Sequence, residues 1–134
     1  MAAAQDTGKL VLRAALALLI LFHGVSKLTN GVGPIVGMVE KAGLPSAFAY
    51  LVYVGEVVAP LLVLIGIWTR AAALVIAVNM VVAIMLVHTA QIFQVNNTGG
   101  WAIELQALYL FSAVAVVLLG AGRFSAGGSG GRWN

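Results

Sequence analysis

Residues 47–68 read AFAYLVYVGEVVAPLLVLIGIW, an apolar stretch of 22 residues with a single charged side chain, Glu56. An α-helix needs about 20 apolar residues to cross the roughly 30 Å hydrocarbon core of a bilayer. This stretch is therefore predicted to be a transmembrane helix with Glu56 inside the membrane. Because lipid strongly disfavours a lone charge, an ionisable residue in such a helix usually marks a functional site.

Three further apolar runs have similar lengths, at residues 10–28, 71–93 and 101–119. With residues 47–68 they predict an all-α fold, a bundle of four transmembrane helices. We expect this membrane domain to occupy residues 1–120. The remaining residues, 121–134, are rich in glycine and serine, which is typical of a disordered tail.

The composition agrees with a membrane protein. Of the 134 residues 62% are hydrophobic and only 8% charged, and the mean hydropathy is +1.06, whereas soluble domains are about 25% charged. We therefore expect no appended soluble catalytic domain. The absence of cysteine excludes disulfides, thiol redox chemistry and cysteine-ligated metal clusters in this chain. The net charge of +3 comes from residues near the segment ends, which suits lipid headgroups better than nucleic acid.

The segment between the first two runs, residues 29–46, carries its own helix signals. Gly33 and Pro34 can begin a helix, and Gly43 with Pro45 can end it. The apolar residues of the segment share one helical face: Ile35, Met38, Val39 and Ala42. We predict a short interfacial helix between helices 1 and 2, with an irregular loop as the alternative.

Lysine and arginine are distributed unequally between the two ends of the predicted helices. Lys9, Arg13, Arg70, Arg123 and Arg132 fall on one side, and Lys27 and Lys41 on the other. The positive-inside rule therefore predicts that both termini are cytoplasmic. Arg13 is expected near the inner surface with its guanidinium at the headgroups.

This topology gathers five ionisable residues into one layer in the outer half of the bundle: His23, Lys27, Glu56, His88 and Glu104. Glu56 lies about 13 Å below the start of its helix, at a rise of about 1.5 Å per residue. His23 and Lys27 are four residues apart and share a helical face. Together these groups can relay protons, bind a polar headgroup or hold a quinone carbonyl by hydrogen bonds.

Each of the five also has a structural explanation. Lys27 can extend to the headgroups, and His88 can be an interfacial residue bonded to Gln91. His23 can serve packing next to Gly24, and Glu104 can favour the positive end of helix four. The two histidines could clamp a haem, but nothing else supports one. No compact spacing joins ligands for zinc, so we expect no metal site.

Several short motifs, in this order, resemble the DoxX family of small membrane proteins. They are residues 23–28 (HGVSKL), 42–45 (AGLP), 55–56 (GE), 64–70 (LIGIWTR), 99–104 (GGWAIE) and 120–125 (GAGRFS). The matching positions are Arg13, His23, Gly24, Lys27, Glu56, Arg70, Gly99, Gly100, Glu104, Gly122 and Arg123. The family's closing segment usually reads Gly-Pro-Gly-Arg with a following Asp; here Ala121 replaces the proline and no Asp follows.

The resemblance implies a four-helix protein of a prokaryotic inner membrane. Some relatives are associated with quinone-linked sulfur oxidation or oxidative-stress complexes. Among the candidate site residues, the resemblance favours Glu56, His23, Lys27 and Glu104. His88 is outside the family pattern and is the weakest candidate.

Three hypotheses follow. The first is a redox-linked or accessory protein, such as a membrane subunit of a quinone-linked oxidoreductase, with a pocket for a quinone-like or other small polar ligand. The second is a structural or assembly subunit of a larger membrane complex, without a ligand. The third is a small transporter, which would need to act as a homo-oligomer because the chain is too short for the usual inverted repeat.

Overall fold

The computed structural model describes residues 2–134, and the side chains from residue 3 onward. The regular secondary structure of this part of the chain is helical, with one isolated β-bridge between Val95 and Trp101 and no sheet. Its helices are α1 (Ala2–Asn30), α2 (Gly33–Lys41), α3 (Ser46–Ile65), α4 (Thr69–Gln91) and α5 (Glu104–Leu119). The all-α prediction is confirmed.

Three of these helices, α1, α3 and α4, are long and apolar enough to cross a membrane. The fourth apolar helix, α5, is shorter, at 16 residues. Around the bundle, α1 packs against α3 and α5, and α4 packs against the same two helices. The buried core where they meet contains several alanines, which let helices approach closely. It includes Ala17, Ile20, Val63, Ala73, Ile76, Ala113 and Val116.

Two helices depart from regular α geometry near the same end of the bundle. In α3 a 3₁₀ turn at Ser46–Leu51 is followed by a π-helical turn at Val54–Val58. In α4 a π-helical turn at Ile84–His88 precedes a final 3₁₀ turn at Thr89–Gln91. Turns of π-helix are rare, and they occur frequently at functional sites.

The segment between α1 and α3 contains a helix, α2. It begins at the predicted Gly33-Pro34, ends at Lys41 and is followed by Gly43, whose φ is +83°. It contacts the Ser46–Leu51 turn of α3 and the Ile84–His88 turn of α4. The irregular-loop alternative does not describe residues 33–41. The position of α2 at the membrane surface stays a prediction.

At the end of the bundle that carries the tail, arginines bind the carboxyl ends of helices. Arg13 is 1% exposed, and its guanidinium donates hydrogen bonds to the carbonyl oxygens of Val63 (2.8 Å) and Phe124 (2.5 Å). Arg70 donates to those of Val117 and Leu118, both at 3.1 Å. The expectation that Arg13 reaches the headgroups is wrong, because the last carbonyls of a helix lack partners within it and a buried guanidinium supplies donors for them.

The Gly-rich tail is ordered, contrary to the expectation from its composition. Asn134 accepts hydrogen bonds through Oδ1 from the main-chain N–H (3.0 Å) and the hydroxyl (2.9 Å) of Thr69. The main-chain carbonyl of Trp133 accepts from the N–H of Arg70 at 2.9 Å. The first N–H groups of α4 have no partners within the helix. The tail supplies them, which explains why a polar, glycine-rich segment packs here.

Candidate functional site

Lys27 of α1 and Glu56 of α3 form an ion pair at the end of the bundle opposite the tail. Lys27 Nζ donates to both carboxylate oxygens, at 2.6 Å to Oε1 and 2.8 Å to Oε2. The side chain of Glu56 is 8% exposed and that of Lys27 is 25% exposed. The hydroxyl of Tyr53 donates to the main-chain carbonyl of Lys27 at 3.0 Å, which fixes the backbone behind the ammonium group. The pair is therefore closed, mostly shielded and without net charge.

The backbone around Glu56 explains how α1 comes so close. Pro60 has no N–H, so it cannot donate the helical hydrogen bond to the carbonyl of Glu56 four residues earlier. Gly24 of α1 packs against this carbonyl, since a Cβ on Gly24 would clash with the main-chain oxygen of Glu56. On the other side of α3, a Cβ on Gly55 would lie 2.6 Å from Cγ of Asn79. Glycine at both positions lets α1 and α4 contact the π-helical turn that carries Glu56.

His23 lies one turn before Lys27 and contacts α5. Its ring meets the ring of Tyr109 edge to face, with centroids 5.9 Å apart and planes at 81°. His23 is exposed, whereas Tyr109 is buried. The imidazole is therefore held by an aromatic contact and keeps its ring nitrogens available to another group.

His88 lies in the π-helical turn of α4 and bridges to α5. Its Nδ1 is 2.6 Å from Oε1 of Gln91, and its Nε2 is 3.3 Å from Nε2 of Gln106. An amide oxygen accepts and an amide nitrogen donates. With the amides in these orientations, His88 carries its proton on Nδ1 and accepts a hydrogen bond at Nε2.

These groups line one cavity of about 570 Å³ inside the ion-pair end of the bundle. Its polar lining consists of His23, Lys27, Glu56, Asn79, His88, Gln106 and Tyr109. The rest of the wall is largely aliphatic, and α2 contributes Ile35, Met38 and Val39 to it. Four of the five predicted site residues are thus brought to one cavity.

The model of the DoxX family matches residues 8–89, which is more than half of the chain. The chain belongs to the DoxX family. It is 29% identical over 105 residues to a protein of Bacillus subtilis (strain 168) named "Putative oxidoreductase CatD", and the alignment covers 78% of each chain. No solved structure matches the chain.

The fifth predicted residue of this DoxX protein, Glu104, lies apart from the cavity. Glu104 is exposed in the first turn of α5, and its carboxylate lies beside Gly100. A carboxylate at this position interacts favourably with the positive end of the helix dipole. The family match ends before Glu104, whereas the cavity residues of α1, α3 and α4 lie within it.

Three polar residues of the cavity wall are absent from the sequence-based site: Asn79, Gln106 and Tyr109. Asn79 is a polar residue inside a predicted membrane segment, a signal that would have drawn attention to it. Gln106 and Tyr109 are three residues apart on α5, so they share a face. Both residues are uncharged and polar, so they cost less in lipid than a charge and stand out less in an apolar run.

Among the described residues, no group of three or more His, Asp or Glu side chains is arranged to hold a metal ion. The polar groups of the DoxX cavity are hydrogen-bond donors and acceptors on different helices. They suit an organic ligand with polar atoms at its rim.

Proposed function

We propose that this DoxX protein binds a quinone-like ligand in the cavity beside the Lys27/Glu56 pair and takes part in a redox-linked reaction of the membrane. The observation that carries the proposal is the convergence of a neutral ion pair and two histidines on a largely aliphatic cavity of about 570 Å³. Ligand pockets typically have volumes of about 300–1,000 Å³ and mostly apolar walls with a few polar groups. A quinone ring has the matching chemistry, an apolar body with two carbonyl acceptors.

In this proposal each polar side chain has a distinct role. Glu56 is the central proton carrier, and Lys27 is its counter-charge. His23 and His88 form the walls, and His23, whose ring nitrogens stay available, can donate a hydrogen bond to a carbonyl oxygen of the ring. Reduction of a quinone to a quinol takes two electrons and two protons. The side chains of the cavity can exchange the protons, and a partner oxidoreductase would supply the electrons.

The relative named as an oxidoreductase supports a redox-linked role. A partner complex is part of the proposal because quinone reduction needs an electron donor, and the chain has no cysteine for thiol redox chemistry or a cysteine-ligated cluster. The partners proposed are therefore the lipid bilayer, the quinone-like ligand and a redox complex in the membrane.

Binding of a short-tailed quinone, decylubiquinone, to the purified protein in lipid nanodiscs tests the proposal. Glu56→Gln removes the charge but keeps the shape, and we expect the affinity to fall by about tenfold or more, which corresponds to about 1.4 kcal/mol or more. Glu40→Gln is the matched control, because Glu40 is an exposed carboxylate of α2 that does not line the cavity. Equal affinities of the wild-type protein and Glu56→Gln would refute the proposed site.

One observation favours a second function, that of an assembly subunit. The Lys27/Glu56 pair is closed, with both carboxylate oxygens on one ammonium group, as expected if the charges only specify how α1 packs on α3. In that case the protein should co-purify with a larger complex from native membranes and bind no quinone. Loss of the complex in Glu56→Gln, together with no binding of decylubiquinone by the wild-type protein, would favour this function.

We also propose that α5 crosses the membrane with the three longer helices, so that both termini face the cytoplasm of a prokaryotic cell across its inner membrane. Arg13 and Arg70 bind carbonyl groups, and Arg123 forms an ion pair with Asp6 at 3.6 Å. Lys9 and Arg132 remain at the tail end for headgroups, against Lys41 at the other end. The chain has no cysteine, so single cysteines can report topology without background. We expect a membrane-impermeant maleimide to label Thr98→Cys but not Ser129→Cys in intact cells, and the reverse pattern would refute the orientation.

A further inference from the structure

One wall of the cavity reaches the outer surface of the bundle between α3 and α4. Leu51 and Val54 of α3 line the cavity, as do Val75, Val78 and Val82 of α4. All five are exposed, by 39% to 56%, and four other lining residues are similarly exposed: Leu44, Phe48, Val87 and Leu105. A lining side chain that is this exposed lies at an open part of the wall. Most of these side chains belong to α3 and α4, so we take the seam between these two helices as the main opening.

The opening is aliphatic and lies at membrane depth. The five residues that form it are Leu or Val, and those of α4 are in the middle of a helix long and apolar enough to span a bilayer. At the end of the seam, α2 contacts both the first turn of α3 and the π-helical turn of α4. It adds Ile35, Met38 and Val39 to the lining and so covers the cavity on that side. The seam therefore leads toward the acyl chains of the lipid.

The charges inside the cavity decide which kind of lipid-borne molecule fits. Lys27 already binds both oxygens of Glu56, so the pair has no net charge and no free ammonium group to offer. A phospholipid headgroup would place a charged phosphate in a largely apolar cavity whose one ammonium group is already paired, which is strongly unfavourable. A neutral ring with hydrogen-bonding oxygens has no such penalty.

We infer that the ligand is a neutral ring with a single hydrocarbon tail, that it enters sideways from the bilayer between α3 and α4, and that its tail stays in this seam when the ring is bound. The inference rests on the proposed function and extends it, because it names the ligand class and the route. The tail lies in hydrocarbon before and after binding, so it adds little affinity by itself. Its effect on binding depends on free space in the seam.

Filling the seam tests the inference. Val82→Phe and Val78→Phe each place a ring in the opening, and Val81→Phe is the matched control, since Val81 is an exposed valine of the same helix that does not line the cavity. Two probes are compared in nanodiscs: decylubiquinone and its tail-less parent, a dimethoxymethylbenzoquinone. We expect Val82→Phe and Val78→Phe to weaken binding of decylubiquinone by about tenfold, with the tail-less probe unchanged and Val81→Phe without effect on either.

Because the tail-less probe also reports whether the cavity is intact, a folding defect is recognised in the same experiment. Unchanged binding of decylubiquinone in both seam variants, or equal weakening of both probes, would overturn the inference while leaving Glu56-dependent binding in place. Absence of binding by both probes to the wild-type protein would overturn the proposed function as well. Retention of a stoichiometric phospholipid that decylubiquinone does not displace would show that the seam holds a different molecule.

Discussion

Replacing Lys27 by methionine tests the central contact of the structure. The change keeps the length of the side chain and its apolar stem but removes the ammonium group. It leaves Glu56, which is 8% exposed, without its cation. Breaking a buried ion pair by removing one partner typically costs about 3–5 kcal/mol. Because Lys27 is itself 25% exposed, water screens part of the interaction, and we expect the lower end of that range, about 3 kcal/mol.

The reverse substitution is expected to cost less. Glu56→Gln leaves a lysine whose flexible stem can move its ammonium group toward water, so we expect a loss of about 1–2 kcal/mol. The double variant Lys27→Met with Glu56→Gln has no charge at the site. It should therefore be more stable than Lys27→Met alone, and the difference measures the coupling between the two groups.

Unfolding in mixed micelles, titrated with a denaturing detergent and followed by circular dichroism, gives the free energies of unfolding. Lys41→Met is the control, since it removes an exposed lysine from the last turn of α2. A Lys27→Met variant as stable as Lys41→Met, or a double variant less stable than Lys27→Met, would refute the assignment of Lys27 as the counter-charge of a shielded carboxylate.

Three further predictions follow from close contacts, each measured by the same unfolding titration. Gly24→Ala should destabilise the protein by about 1–3 kcal/mol, because its Cβ would clash with the main-chain oxygen of Glu56. Gly8→Ala is the control: a Cβ there has no neighbouring atom within 4 Å, so this change should be neutral or stabilising. Equal effects of the two changes would contradict the close approach of α1 to α3. Arg13→Lys should lower the free energy of unfolding by about 2 kcal/mol, because lysine lacks the planar guanidinium that donates to carbonyls of both α3 and the tail. An unchanged stability would mean that these hydrogen bonds do not stabilise the protein. Asn134→Ala removes the cap of α4 and should lower the free energy of unfolding by about 1 kcal/mol. It should also speed proteolysis of the tail, and an unchanged cleavage rate would argue against a tail packed on α4.

The helices and the membrane environment were predictable because the signals for both are local. An apolar run such as residues 47–68 forms a helix in the bilayer whatever surrounds it, since every backbone N–H and C=O must be bonded within the segment. The same reasoning identified Glu56 as an exceptional residue, because the cost of a charge in lipid does not depend on the fold. The helix at Gly33–Lys41 followed from its own start and stop residues.

The members of the cavity were less predictable, because they depend on the direction in which each side chain points. Ideal helix geometry assumes a constant rotation per residue, but the π-helical turns at Val54–Val58 and Ile84–His88 change that rotation near Glu56 and His88. Glu104 illustrates the same limit at a helix end. It is the first residue of α5, where its side chain is exposed beside Gly100 and does not reach the cavity.

By itself, the sequence determined that this is a helical membrane protein of the DoxX family with ionisable residues inside its apolar segments. Only the tertiary structure decided that Lys27 closes on Glu56, that Arg13 caps α3 instead of reaching the headgroups, and that Asn134 caps α4. The physical reason is the range of the interactions involved. Hydropathy and helix formation depend on neighbours in the chain. The Lys27/Glu56 ion pair joins residues 29 positions apart, the Arg13 hydrogen bond to Val63 joins residues 50 apart, and the Asn134 cap of Thr69 joins residues 65 apart.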